Sequence, residues 1–210
     1  MRLQPTSIIA LCLLLCFLVS CTSSDPSNLI IKKDSHIALL GGNLCSRMMN
    51  FGHFETEIQV RYPDSALLIR NMCDGGNTAG FRPHSSRNTP WAFPDAAQFQ
   101  AAEFTRNSGS EGHLEYPDEW LTNLETDIIL AFFGYSESFR GEEGIEDFKE
   151  ELRAFVDHSF AQQYNGDTTL QFALISPTAF EDLSDQYDLP DGTQVNENLL
   201  LYTQAMKEVA

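Results

Sequence analysis

Residues 128–133, Ile-Ile-Leu-Ala-Phe-Phe, form an unbroken apolar run bounded by Asp127 and Gly134. A strand with one wet face alternates apolar and polar residues. A run with no alternation is apolar on both faces and reads as a buried strand of a parallel sheet. Three further short apolar runs, at residues 36–40, 66–69 and 170–175, each end in a loop rich in glycine, proline or polar residues. Between the runs lie stretches at helical spacing. Residues 47–62 place Met48, Phe51, Phe54 and Ile58 on one face, and 144–163 place Phe148, Leu152, Phe155, Val156 and Phe160 together. Shorter or later helices are expected at 119–124 and 195–209. This alternation predicts an α/β fold: a three-layer, flavodoxin-like parallel sheet of four strands with helices on both faces. His36 then begins a strand, His53 lies on a helix, and His158 falls on an outward helical face. Residues 77–117 are too long for a plain connector and read as a functional or capping loop.

The N-terminal segment is of another kind. Arg2 is the one charge among residues 1–20, and residues 8–19 are an apolar run shorter than a bilayer-spanning helix but of the length of a secretory h-region. Leu18-Val19-Ser20-Cys21 resembles the lipobox of bacterial lipoproteins, which implies lipidation of Cys21 and anchoring by more than one acyl chain. The expected organisation is a signal peptide at 1–20, a tether at 21–35 and one domain at 36–210. The expected location is the bacterial cell envelope, facing the periplasm or the cell surface. The alternative is an ordinary secreted protein whose Cys21 is incidental. Cys12 and Cys16 leave with the signal, so Cys45 and Cys73 are the cysteines of the domain, paired as a disulfide or left as two thiols. The net charge of −17 excludes nucleic-acid binding and a basic lipid-binding patch. At 42% hydrophobic residues the chain has the means to form a core and is not intrinsically disordered.

In an open parallel sheet, ligands bind at the carboxyl ends of the strands. Three loops leave such ends: Gly41-Gly42-Asn43, followed by Leu44-Cys45-Ser46-Arg47; residues 71–78, with Cys73-Asp74-Gly75-Gly76-Asn77-Thr78; and Gly134-Tyr135-Ser136-Glu137. In order and spacing these resemble the first three sequence blocks of the SGNH (GDSL-type) hydrolase superfamily. Residues 47–56 and 132–139 are more narrowly similar to divergent SGNH-like domains of planctomycete- and Bacteroidetes-type secreted proteins. The resemblance implies an ester hydrolase, an esterase or carbohydrate deacetylase, with Asn43 at the nucleophile position. It further implies that Gly76 donates its backbone N–H to an oxyanion, and that Ser136 stands where the third block has an oxyanion-binding Asn.

The departures from that pattern bear on chemistry. An amide at position 43 cannot be deprotonated by a histidine and cannot form an acyl-enzyme. The superfamily's Asp-x-x-His, which follows a fifth strand, does not occur after residue 170. The resemblance therefore implies a chain truncated at its acid–base end. Cys45 with His84 is a conceivable nucleophile–base pair, against a structural cysteine. Asp74, His84, Glu111 and His113 have metal-ligating side chains but no ligand spacing, so neither a metal nor a cofactor is expected. Phe81, Trp91, Phe93 and Trp120 either form a sugar-stacking surface or pack the long loop onto the sheet. Three readings stand: an ester hydrolase acting on acylated carbohydrate or another ester, with its base supplied from elsewhere; a non-catalytic module binding carbohydrate or a partner; and a non-functional fragment.

Overall fold

The computed structural model describes residues 28–83, 89–100, 116–166 and 169–210. Four strands form one parallel sheet: β1 (His36–Gly41), β2 (Leu68–Asn71), β3 (Ile128–Phe132) and β4 (Gln171–Leu174), in the order β2-β1-β3-β4. β1 registers Leu39 against Asn71 of β2 and Leu40 against Ala131 of β3, and β3 registers Leu130 against Ala173 of β4. Every residue of β3 is buried, as its unbroken apolar run requires.

The two faces of the sheet carry separate cores. Ala38, Leu40, Ile129 and Ala131 pack against Phe148, Leu152 and Phe155 of α4 (Ile145–Ala161) and Tyr202 and Met206 of α5 (Thr193–Val209). Leu121 of α3 (Pro117–Asn123) joins the same core. Ile37, Leu39, Ile128, Leu130 and Phe132 face the other way, onto Cys45, Cys73 and the partly buried Leu44, Met48 and Phe54. Right-handed crossovers leaving a central β1 in one direction and a central β3 in the other put their helices on opposite faces, which yields the expected three layers.

The expected single helix at 47–62 is two helices, α1 (Asn43–Met48) and α2 (His53–Arg61). Gly52, costly inside a helix, stands at the break as the N-cap of α2. The supposed common apolar face is consequently divided. α2 buries none of its residues, Phe51 is 63% exposed and stacks on His53, and Val60 is 69% exposed. The strand expected at 66–69 begins at Leu68, because Ala66 adopts a left-handed backbone (φ 47°) that a strand cannot contain. Phe160 is off the buried stripe of α4 and half exposed, its ring tilted over Phe172 of β4. His158 is likewise not outward-facing. α3 crosses it, and its Nε2 lies 2.5 Å from Asp118 Oδ2, while Tyr164 donates to the other oxygen of that carboxylate.

These burials set an expectation for stability. Leu152→Ala, at 0% exposure, should cost about 2–5 kcal/mol in urea unfolding. Val60→Ala on α2 should change stability by less than about 0.5 kcal/mol. Comparable losses at the two positions would contradict the division between α4 and α2.

Candidate functional site

The strand order reverses between β1 and β3, so the loops leaving these two strands diverge and open a crevice at their carboxyl ends. The close approach depends on Gly41, where φ is +151° and any Cβ would overlap the backbone of Phe132. The next N–H, of Gly42, donates to Phe132 O at 3.1 Å. Asp74 N donates to Gly41 O at 3.1 Å and Asn77 Nδ2 to the same oxygen at 3.3 Å, which draws the loop after β2 onto the end of β1.

Asn43, Gly76 and Ser136 come from these three loops, and the structure brings the loops together. A Cβ added to Gly75 would stand 2.9 Å from Asn43 Oδ1, so the side chain of Asn43 lies against the glycine pair. A Cβ on Gly42 would stand 3.3 Å from Asn77 O and 3.6 Å from Ser136 Oγ. Gly76 has φ +83° and nothing within 4 Å of where a side chain would be, leaving its backbone bare on that side. The crevice thus presents an amide, an open backbone and a hydroxyl in a narrow space, tight at 42 and closed at 75 by the Asn43 side chain itself.

Cys45 and Cys73 form a disulfide, with Cα atoms 5.6 Å apart, and are 0% and 5% exposed. This settles the open choice between a bridge and two thiols, and it removes Cys45 as a nucleophile. Asn71 reinforces the link: its Nδ2 donates to Cys45 O at 3.0 Å and its Oδ1 accepts from Cys73 N at 3.0 Å. The bridge ties α1, which carries Asn43, to the loop that carries Gly76. The described histidines are engaged elsewhere: His36 with Leu124 O, His53 with Phe51, and His158 with Asp118. His84, Glu111, His113 and Cys21 lie outside the described residues, as do the signal segment and residues 21–27 of the tether. Of the four metal-ligating candidates, only Asp74 is described, and its Oδ1 accepts from Gly75 N.

Beside Gly76 and Ser136 a cavity of about 440 Å³ opens, walled by Phe81, Trp91, Phe99 and Phe139 and by two carboxyl residues, Glu137 and Glu151. The two alternatives for the aromatic residues therefore divide. Phe81 and Trp91 pair across the long loop (centroids 5.2 Å apart) and line the cavity, whereas Phe93 is buried in the core and Trp120 lies under the Arg70 guanidinium.

The carboxyl pair is not among the residues that the sequence motifs single out. Glu151 is 7% exposed, and its Oε1 accepts from Thr78 Oγ1 at 2.5 Å and Gly80 N at 2.7 Å. Burial pushes its pKa up, against those hydrogen bonds and the charges of Arg82 and Arg140. Glu137 is 8% exposed; its Oε2 accepts from Gly134 N at 2.9 Å, and its Oε1 has no hydrogen-bond partner among the described residues. Burial first and the neighbouring Glu151 second raise its pKa to about 8. A readable signal does exist for Glu151. It stands three residues after Phe148 and four before Phe155, an acid on an otherwise apolar helical stripe.

Two measurements test these assignments. Replacing both cysteines by Ala should cost about 3–4 kcal/mol, the range expected for closing a loop of this length, without altering the α/β circular-dichroism spectrum. Glu137 binds its proton more tightly folded than unfolded, so the folded state holds the extra proton between pH 4.5 and about 8. Stability should accordingly fall by about 1.4 kcal/mol per pH unit as pH rises through that window. Glu137→Gln should remove this slope from thermal melts, and an unchanged slope would contradict a neutral buried Glu137.

Comparison with known proteins gives no matching family model and no matching curated protein. Among solved structures, the chain is similar to a gut microbial diltiazem-metabolizing enzyme at 13% identity and TM-score 0.53, over 87% of this chain but only 36% of that one. It is also similar to Axe2, an acetylxylan esterase from Geobacillus stearothermophilus (13% identity, TM-score 0.46, 86% of this chain and 75% of that one). A third likeness is to the psychrotrophic esterase EstA from Pseudoalteromonas sp. (16%, 0.46, 84% and 74%). The chain spans little more than a third of the first enzyme's length and shares its fold over that part.

Proposed function

We propose that this domain is a distant SGNH-like hydrolase domain that holds an ester-bearing ligand, of the acylated-carbohydrate class, in the crevice between Asn43, Gly76 and Ser136. Its described residues bind the ester without cleaving it by a serine mechanism. The observation that carries this reading is the convergence of Asn43, Gly76 and Ser136 at the β1/β3 switch point. In this arrangement the ester carbonyl sits against the bare backbone of Gly76, Ser136 Oγ–H and the Asn43 amide supply further donors, and the acyl or sugar portion extends into the neighbouring cavity. Such donors stabilise negative charge on a carbonyl oxygen, but with an amide at position 43 no nucleophile attacks the carbon from that place. Hydrolysis would draw its nucleophile and its base from outside the described residues.

Purified protein should therefore leave p-nitrophenyl acetate unhydrolysed beyond the rate of a Gly76→Val variant, yet bind glucose pentaacetate in calorimetry, with binding lost in the Gly76 variant. Robust hydrolysis abolished by Asn43→Ala or Ser46→Ala would overturn the non-cleaving reading.

The same proposal places the domain on the cell envelope through a lipidated Cys21. Palmitate labelling of cells expressing the full chain should disappear in Cys21→Ser, and labelling that persists would refute the anchor.

A further inference from the structure

The cavity beside Gly76 and Ser136 has a composition that an ester-binding crevice does not need. Its walls are mostly aromatic, yet two nearly buried carboxyl residues stand in them, one with an oxygen that no described residue satisfies. A buried carboxyl with an unspent oxygen is costly unless something supplies a partner. Aromatic faces attract cations, most strongly where water is excluded. The surrounding charge has the same sense, since the chain carries 30 acidic residues against 13 basic ones, and a field of that sign gathers cations. The cation in the cavity wall, Arg140, is bound to Asp147 at 2.5 Å. A neutral sugar stacks on the rings and donates hydroxyls to the acids, but only a cation offsets the charge that two neighbouring acids develop.

We propose that this cavity, lined by Phe81, Trp91, Phe99 and Phe139 above Glu137 and Glu151, receives the protonated amine of an organic cation. The ammonium N–H groups donate to the carboxyl pair, and the carbon frame lies against the rings. At neutral pH Glu137 carries its proton, so a bound cation favours its ionisation and the proton leaves to the buffer. The titratable groups facing Glu137 are Glu151 on α4 and Tyr202 on α5; Arg82 and Arg140 act on Glu151, and Arg140 and Asp147 on Tyr202. Of these, Glu151 is the one that shares the cation. The inference deepens the proposed ligand site by naming the chemistry of the group beside the ester, but it does not require that an ester be bound.

Calorimetry on the full chain with phenethylamine, 2-phenylethanol and glucose tests it. The first two have the same ring and chain and differ in charge, and none is an ester, so failure here leaves the ester-site reading standing and success does not depend on it. Phenethylamine should bind about tenfold or more tightly than 2-phenylethanol, the gain expected for a desolvated cation over aromatic rings. Its binding enthalpy at pH 7 should depend on the buffer's ionisation enthalpy, which reports the released proton. Glu137→Gln should bring the amine down to the affinity of the alcohol and abolish the buffer dependence. Phe139→Leu, at an exposed position where folding is not at stake, should narrow the preference while keeping the cavity apolar. Alcohol or glucose binding as tight as the amine, no binding of the amine, or a preference intact in both variants would overturn the proposal.

Discussion

Everything at the carboxyl edge of this sheet depends on how closely β1 approaches β3. At Gly41 the two backbones leave no room for a Cβ, and the following N–H donates to the carbonyl of Phe132. That contact fixes where Asn43 starts α1 and where Gly134 turns the chain away from β3. The loop after β2 is then drawn onto the same point by two hydrogen bonds to Gly41 O and by the buried disulfide. A crevice at a switch point is a topological necessity. Its narrowness here is the work of glycines at 41, 42 and 75.

Glu137 and Glu151 couple this crevice to the rest of the molecule. Glu137 accepts from the N–H of Gly134, in the turn that carries Ser136, and Glu151 accepts from Thr78 and Gly80, in the long loop. Each carboxyl therefore positions a wall of the cavity, and burial raises the pKa of both. Polar atoms held this way orient a loop more sharply than apolar packing does, because an unmet donor or acceptor in the interior is costly.

What the sequence discloses follows the range of the interactions involved. β3 is legible because an apolar run without alternation has few other places to go, and α4 because Phe148, Leu152 and Phe155 recur at helical spacing. The three glycine-bearing loops are legible as strand ends, and it is the resemblance to the SGNH blocks that singles out Asn43, Gly76 and Ser136 within them. The division at 47–62 is hidden because the apolar spacing continues across Gly52, and periodicity alone does not register a residue that ends a helix. The inward placement of His158 is hidden because its partner, Asp118, is forty positions away in sequence. The disulfide stays open for the same reason: two cysteines state a possibility, and only adjacency of β1 and β2 makes it a bond. Glu137 lies in a loop with no periodicity at all, so its burial emerges only from the packing of Glu151, Tyr202 and the long loop around it.

The bridge between Cys45 and Cys73 encloses a circuit of chain that contains α2, which has no fully buried residue and reaches a core through the partly buried Phe54. The ends of that circuit are pinned by a covalent bond and by Asn71, whereas its outer arc is held mainly by its own helical hydrogen bonds. Such an arc can be lengthened, replaced or grafted with foreign sequence at little thermodynamic cost, since extra residues in an already closed loop add only slowly to its entropy. The domain thus has a built-in place for variation: a surface excursion that can diverge between relatives while Asn43 and Gly76, at its two pinned ends, stay where they are.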